Sequence, residues 1–266
     1  MGVGCRSWQH EVMGRTVSFV NQKGGVGKTT VTLGLASAAA HAGHRVLVVD
    51  LDPQGGSTWV LGVDPAEVEV SSAEVLGRAP ASKAIVHSAW GDHVDLLPSA
   101  NRLQDREHGS GKDAAKRLRA ALASVLDGYD AVLIDCPPSL GNLTTNGLAA
   151  ADHAIIVVEP SALGLRGIGA IADVVDEVWD AENPELELAG VIVNKVPGVS
   201  TEADRRYEEL TAAVGRKAIW QPVVPQRVIL NQAIGDRRSI HSFGARSAEV
   251  SGVFDQLWRK LRRVIK

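Results

Sequence analysis

The sequence predicts a three-layer α/β fold with a mainly parallel central sheet of about seven or eight strands, flanked by helices. Short apolar runs alternate along the chain with segments whose apolar residues recur at helical spacing. This alternation is typical of parallel strands joined by crossover helices. Several of the runs, such as RVLVVD at Arg45–Asp50, lack a polar–apolar alternation, which indicates strands buried on both faces.

The elements follow in chain order. The predicted strands are continuous apolar runs, most of them closed by a polar residue: Thr16–Asn21, Arg45–Asp50, Val94–Leu97, Ala131–Asp135, Ala154–Val158, Leu188–Asn194 and a short last strand at Ala218–Val224. The predicted helices have apolar or small residues at helical intervals: Gly27–Ala42, Asp113–Leu126, Gly167–Trp179, Glu202–Val214 and Arg246–Arg263. Scattered Pro, Gly and Ser make Asp64–Asp92 an excursion within the domain, and the polar segment Asn101–Lys112 is expected to be a mobile loop.

Length and composition bound the possibilities. The 266 residues suffice for one large domain, which we place at residues 14–266, after a disordered extension at 1–13. The net charge of −3 gives no global attraction for nucleic acid, so DNA binding would need a local basic patch. The two cysteines, Cys5 and Cys136, form no metal-ligand or disulfide pattern, which favours a reducing cytoplasm. The sequence has no apolar run long enough for a membrane span.

The first strand leads into a glycine-rich loop, KGGVGKTT at Lys23–Thr30, and a helix follows. Glycines let successive backbone N–H groups form an anion-binding nest, and the helix N-terminus adds its dipole. Lys28 is placed to reach the β- and γ-phosphates of a nucleotide, and the Thr29 hydroxyl to ligate Mg²⁺. The pattern predicts a P-loop NTPase rather than a turn that binds nothing. It departs from the usual motif, which has glycine at the place of Gln22 and lacks the added Lys23.

This loop resembles the deviant Walker A box of the ParA/MinD family. Three more stretches are similar to that family: VLVVDLDPQG at Val46–Gly55 to its switch I, VLIDCPPSLG at Val132–Gly141 to its Walker B strand and switch II, and VIVNKV at Val191–Val196 to the strand that ends beside the adenine. The resemblance covers residues 15–263. The amino-acid sequences of the two switch segments favour ParA, the Soj-like branch of the family, whose members act in chromosome and plasmid partition.

The resemblance implies a role for each matching residue. Lys23 would reach across a dimer interface to the partner's phosphates, Asp52 would position the attacking water near the metal, and Asp135 would act on Mg²⁺ through water. Asn194 would contact adenine, with Pro225 beside it. The implied ATP-binding loop comprises Lys23, Gly24, Gly25, Val26, Gly27, Lys28, Thr29 and Thr30.

The residues themselves support part of this assignment. Carboxylates at the carboxyl ends of parallel strands lie where open α/β sheets bind ligands, and Asp50, Asp52 and Asp135 all follow apolar strands. A strand-end Asp is also a common helix cap or turn former. For Asp50, support of the metal site and fixing of switch I both stay open. Asn194 could equally be a turn residue at a strand end, and the guanine-reading aspartate that usually follows an Asn-Lys pair is missing.

The segment Val224–Ala233 matches the part of ParA proteins that contacts DNA. Gln226 and Ile229 stand where the family typically has arginine, so the contact cannot be carried over at these two positions. Arg227, Arg237 and Arg238 are the candidate substitutes, since phosphate contact needs charge rather than base-edge geometry. Solvated arginines with no partner are the alternative.

The last helix is amphipathic, with apolar Val250, Val253, Phe254, Leu257, Trp258, Leu261 and Val264 on one face and five basic residues on the other. We expect it to pack on the core, since it aligns with the closing helix of ParA. A basic edge that faces DNA and an anionic membrane surface are the other two interpretations.

The resemblance therefore implies a Mg²⁺-dependent ATPase that hydrolyses ATP to ADP and phosphate. It implies an ATP-dependent sandwich homodimer that binds DNA nonspecifically, and a ParB-like or other adaptor that stimulates hydrolysis, in order to segregate DNA or position cargo. The expected location is the cytoplasm, on the nucleoid. The alternative is a MinD-like membrane-associated ATPase for division-site or cargo positioning. A metabolic enzyme on the same scaffold is disfavoured, because the two cysteines cannot hold a cluster.

Overall fold

The computed structural model describes residues 15–108 and 113–266. Within these ranges seven strands form one sheet: β1 (Arg15–Val20), β2 (Val46–Asp50), β3 (Val86–His87), β4 (Val94–Leu97), β5 (Ala131–Asp135), β6 (His153–Val158) and β7 (Glu187–Val193). Their spatial order is β3-β4-β2-β5-β1-β6-β7, and every neighbouring pair is parallel except β3 with β4. The predicted mainly parallel α/β fold is confirmed.

The helices are α1 (Lys28–His41), α2 (Gly56–Val60), α3 (Ser72–Leu76), α4 (Ala81–Ala84), α5 (Arg117–Leu122), α6 (Asn142–Ala150), α7 (Ala162–Ala181), α8 (Thr201–Val214), α9 (Val228–Gly235) and α10 (Ala248–Val264). Two apolar clusters lie on opposite faces of the sheet. One joins the sheet to α1 and α10, and the other joins it to α3, α5, α6 and α7. This arrangement gives the three layers, because strands such as β2, β5 and β6 bury side chains on both faces.

The closing helix α10 belongs to the core. Phe254, Leu257 and Leu261 are fully buried, and Phe254 lies so close to α1 that a Cβ at Gly34 would come within 2.2 Å of its ring. The expectation of core packing is confirmed. Within the described ranges, no helix combines the length and the apolarity needed to cross a bilayer.

Three local predictions are wrong. Ala218–Val224 is not a strand: Ile219 and Pro225 each form a single bridge, to Val191 and Val196. Proline has no N–H to donate to a ladder, and Pro222 falls in this stretch while Pro225 follows it directly. Asp113–Leu126 is not one helix: only Arg117–Leu122 is α-helical, and tighter 3₁₀ turns at Ala114–Lys116 and Leu126–Gly128 flank it.

The third concerns Asn101–Lys112, expected to be a mobile loop. Asn101–Arg106 is a 3₁₀ helix that buries Leu103, and Arg102 pairs with Glu74 at 2.6 Å. The rest of the expected loop at 109–112, and the expected extension at 1–13, lie outside the described residues.

Candidate functional site

The loop between β1 and α1 has the backbone of an anion nest. Gly25 and Gly27 have φ angles of 79° and 89°, values that glycine adopts at no steric cost. Asn21 fixes the start of the loop, since its Oδ1 accepts from the Lys23 N–H at 2.8 Å and its Nδ2 donates to the Val157 carbonyl at 2.5 Å. The loop is therefore shaped before any ligand enters it.

Lys28 opens α1 and is buried, with 6% of its surface exposed. Its Nζ donates to the Asn21 carbonyl at 3.1 Å, so the ammonium lies under the nest. Burial lowers the pKa of Lys28, and the nearby Asp135 carboxylate opposes this effect. A buried ammonium with one weak acceptor is poised to bind an anion.

Asp135, at the end of β5, joins the phosphate loop to the segment that follows β2. Its Oδ2 accepts from the Thr29 hydroxyl at 2.7 Å and from the Ser57 hydroxyl at 2.7 Å. Its Oδ1 is buried and has no hydrogen-bond partner within the described residues. Burial raises the pKa of Asp135, against the opposing effect of the Thr29 and Ser57 hydroxyls.

This donor set fits a magnesium ion. Mg²⁺ takes oxygen ligands and keeps several waters, so one hydroxyl and a carboxylate nearby are a typical protein contribution. Thr29 supplies the hydroxyl, and the free Oδ1 of Asp135 can accept from a metal-bound water. Thr29 and Asp135, predicted from separate motifs, are brought into direct contact.

Asp50 and Asp52 follow β2 but differ in surroundings. Asp50 is fully buried and accepts from the Thr58 N–H at 2.8 Å and the Thr58 hydroxyl at 2.7 Å, which fixes α2. Burial and the neighbouring Asp135 raise its pKa. Asp52 is partly exposed, and its Oδ1 accepts from the Gln54 N–H at 2.9 Å. Asp50 is thus a structural support, whereas Asp52 faces accessible space beside the loop.

Lys23 forms an ion pair with Glu159 of the same chain, just after β6. Both side chains are partly exposed, Lys23 at 33% and Glu159 at 23%. Glu159 therefore holds the Lys23 ammonium at a partly exposed position.

Asn194, after β7, lies against the phosphate loop. Its Nδ2 donates to the Val26 carbonyl at 2.9 Å, and the adjacent Lys195 donates to the Gly25 carbonyl. The Asn194 Oδ1 is buried without a partner within the described residues. A cavity of about 100 Å³ opens beside it, lined also by Thr30, Pro225, Leu230 and Asn231. Asn194 and Pro225 thus border one cavity next to the loop. The Asn194 Nδ2 already donates to Val26, which leaves Oδ1 for a ligand.

The three candidate DNA-contacting arginines differ in their partners. Arg227 makes two hydrogen bonds to the Glu249 carboxylate, at 3.0 and 2.6 Å. Arg237 stacks on Trp59, 5.2 Å from the ring centre, and donates to the Trp59 carbonyl at 2.7 Å. Arg238 stacks on Phe243 at 4.7 Å. Arg227 therefore has its charge offset by a carboxylate, whereas Arg237 and Arg238 are held by aromatic rings that leave their charge available.

Sequence reasoning missed Ser57, Glu159 and Asn21. Glu159 follows an apolar strand, so the strand-end rule that selected Asp135 could have found it. Asn21, directly after the first strand, gives the same signal. Ser57 gives none, because its partner Asp135 is distant in sequence.

Comparison with known proteins agrees with this geometry. A family model described as "AAA domain" matches residues 14–188. The chain is 33% identical over 237 residues to the sporulation initiation inhibitor protein Soj of Bacillus subtilis, covering 88% of this chain and 93% of Soj. It is 39% identical over 219 residues to the chromosome-partitioning ATPase Soj of Thermus thermophilus, covering 82% and 84%.

Two further matches are a longer relative and a solved structure. An uncharacterized protein of Mycobacterium tuberculosis is 42% identical over 185 residues, covering 68% of this chain but only 58% of that protein. The crystal structure of cobyrinic acid a,c-diamide synthase from Mycobacterium smegmatis, with bound ADP and magnesium, superimposes with a TM-score of 0.74 at 34% identity, covering 85% and 91% of the two chains.

Proposed function

Because the chain belongs to the ParA/MinD family of P-loop ATPases, we propose that it binds ATP with Mg²⁺ and hydrolyses it to ADP and phosphate. The observation that carries this proposal is the contact between Thr29 and Asp135 beneath the glycine-rich loop, at 2.7 Å. Because of this contact, the phosphate nest, the buried Lys28, the Thr29 hydroxyl and the Asp135 carboxylate lie together at one edge of the sheet.

Each residue has a defined task in this mechanism. The N–H groups of the loop and the Lys28 ammonium would hold the β- and γ-phosphates, and Thr29 and Asp135 would hold Mg²⁺. Mg²⁺ would supply charge neutralisation on the phosphate oxygens. Asp52, partly exposed beside the loop, orients the attacking water. Asn194 accepts from the adenine amino group through its free Oδ1.

We further propose that the working unit is an ATP-bound homodimer built from one domain at residues 14–266. The ion pair between Lys23 and Glu159 supports this, since a lysine at the rim of its own loop can turn to a partner's phosphates. A cation delivered by a second subunit offsets charge as the phosphoryl group leaves. Hydrolysis then depends on dimer formation, and an adaptor of the ParB kind would stimulate it.

For the dimer we propose nonspecific DNA binding, and with it a place on the nucleoid in the cytoplasm. Arg237 and Arg238 support this, because each is stacked on an aromatic ring and retains a charge for phosphate contact. Arg237 also bonds to α2, directly after the segment with Asp52, so nucleotide-dependent movement there would reach this surface. The cycle would segregate DNA or position cargo.

The test is DNA binding with ATP, ADP and no nucleotide, at two salt concentrations, alongside the mass of the particle by light scattering. We expect a dimer and salt-sensitive DNA binding only with ATP. Pelleting with anionic liposomes in ATP is measured in parallel. If liposomes retain the protein and DNA does not, the partition proposal is wrong and the MinD-like alternative replaces it.

A further inference from the structure

A second cavity lies away from the phosphate loop. It has a volume of about 560 Å³ and is formed between the turn that joins α3 to α4 and one face of α5. This volume falls within the range of about 300 to 1,000 Å³ typical of small-molecule sites. It shares no lining residue with the phosphate loop or with the cavity beside Asn194.

The lining of this cavity combines an apolar floor with a cationic rim. Pro80, Ala120 and Ala121 contribute apolar surface, and the charged residues are Arg78, Lys116, Arg117 and Asp113. Three cations thus face one carboxylate. Lys116 is already paired with Glu182 at 3.5 Å, which leaves Arg78 and Arg117 as the cations available to a ligand.

The Arg117 guanidinium uses only part of its hydrogen-bonding capacity. One of its terminal nitrogens donates to the Leu76 carbonyl at 3.2 Å, which fixes the guanidinium at the cavity wall. Its Nε–H is buried and has no partner within the described residues. The guanidinium itself lines the cavity, so its remaining terminal N–H groups can donate to the acceptor group of a ligand.

Arg78 is held in an uncommon backbone conformation. Its φ is 82°, a left-handed region that residues other than glycine rarely adopt. The conformation is fixed by the end of α3, where the Arg78 and Ala79 N–H groups donate to Val75 and Glu74 at 2.9 Å each. Its exposed side chain has no hydrogen bond or ion pair within the described residues, which keeps its charge free at the rim.

We propose that this cavity is a binding site for a small amphiphilic organic anion. The carboxylate, sulfonate or phosphate group of such a ligand accepts from Arg117 and Arg78, and its hydrocarbon body covers Pro80, Ala120 and Ala121. A purely inorganic anion would leave the apolar floor in water, and a neutral hydrocarbon would leave the two guanidinium charges without a counterion.

The experiment is isothermal titration of the full chain with 2-naphthalenesulfonate and with the neutral 2-naphthalenemethanol. Both titrations are run in saturating ADP and Mg²⁺, so that anion binding at the phosphate loop does not contribute. We expect the sulfonate to bind and the alcohol to bind about tenfold more weakly or not at all, since only the anion engages the two guanidinium groups. Equal binding of the two probes, or binding of neither, overturns the proposal.

Variants locate the site. Arg78→Ala and Arg117→Met should each weaken sulfonate binding about fivefold or more. Ala120→Trp keeps every charge but fills the cavity from an exposed position of α5, and should abolish binding. Arg216→Ala, an exposed arginine after α8 that lines no part of the cavity, should bind as the parent does. If Arg78→Ala and Ala120→Trp both bind the sulfonate as the parent does, the ligand lies elsewhere and the proposal fails. This conclusion holds even if Arg117→Met does not fold.

Discussion

The Asn194 side chain donates from Nδ2 to the Val26 carbonyl at 2.9 Å, which fastens the end of β7 to the phosphate loop. The contact is close enough that a Cβ at Gly27 would fall 2.2 Å from that nitrogen. Asn194 therefore braces the loop as well as bordering the cavity beside it.

This double role predicts the effect of Asn194→Ala. The buried Val26 carbonyl loses its donor, so we expect affinity for inorganic tripolyphosphate to fall by about tenfold, and affinity for ATP to fall further because the proposed adenine contact is lost as well. Competition against a fluorescent nucleotide measures both. Asn231→Ala, in the same cavity but off the loop, is the control and should leave tripolyphosphate binding unchanged. A loss for ATP alone would show that Asn194 acts only on the base.

Lys28→Met should abolish nucleotide binding while the chain stays folded. Methionine fills nearly the same volume in this buried position but removes the charge that holds the phosphates, so affinity should drop by about a hundredfold or more. Lys28→Ala should bind no better. The exposed Lys217→Met is the control. Near-parental ATP affinity in Lys28→Met, measured by calorimetry with a thermal melt alongside, would refute the phosphate-loop assignment.

Asp52→Ala should leave ATP binding and dimer formation intact and reduce turnover by about a hundredfold or more, because the attacking water loses its acceptor. Asp52→Asn keeps an oxygen that can accept from the Gln54 N–H, a contact of 2.9 Å in the parent, so it separates turn geometry from catalysis. Phosphate release and light scattering are the measurements. Parental turnover in Asp52→Ala would assign the water to another residue, and Asp52→Asn shows whether an uncharged acceptor suffices at this position.

Asp50 makes the nucleotide-free protein sensitive to pH. Burial raises the pKa of Asp50 to about 8, so the folded state retains a proton that the unfolded chain releases above about pH 4. This stabilisation is present at low pH and is lost as the pH rises toward the folded-state pKa. We expect the melting temperature without nucleotide or Mg²⁺ to fall between about pH 5 and about pH 8.

Asp50→Asn should flatten that fall, because the amide does not titrate but can still accept from Thr58. The exposed Asp92→Asn should keep the parental slope. Identical slopes for the parent and Asp50→Asn would mean that another group controls the pH dependence.

Alanine variants of the three candidate arginines should differ in their affinity for DNA. Arg238→Ala, and to a similar extent Arg237→Ala, should weaken ATP-dependent DNA binding and lower the salt slope by about one. Arg227→Ala should change it little, because the Glu249 carboxylate already offsets its charge in a bidentate pair. Binding measured across a salt series decides the ranking. An Arg227→Ala defect as large as that of Arg238→Ala would contradict it.

The strands were the most predictable part of the fold. The predicted limits of the strands at Val94–Leu97 and Ala131–Asp135 match the structure, and those of β1, β2, β6 and β7 differ by one residue at one or both ends. Continuous apolar runs have few alternatives to a buried strand. The errors at Asp113–Leu126 and Ala218–Val224 occurred where packing chose between helix types, or where proline removed ladder donors.

By itself the sequence determined the parallel α/β fold, the phosphate loop and the identity of Lys28, Thr29 and Asp135 as candidate site residues. These depend on local patterns: apolar periodicity, glycine spacing and polar residues at strand ends. Only the tertiary structure decided that Ser57 shares Asp135 with Thr29, that Glu159 holds Lys23, and that Glu249 offsets Arg227. These pairings join residues 22 to 136 positions apart, and a hydrogen bond forms only when folding brings donor and acceptor within about 3 Å.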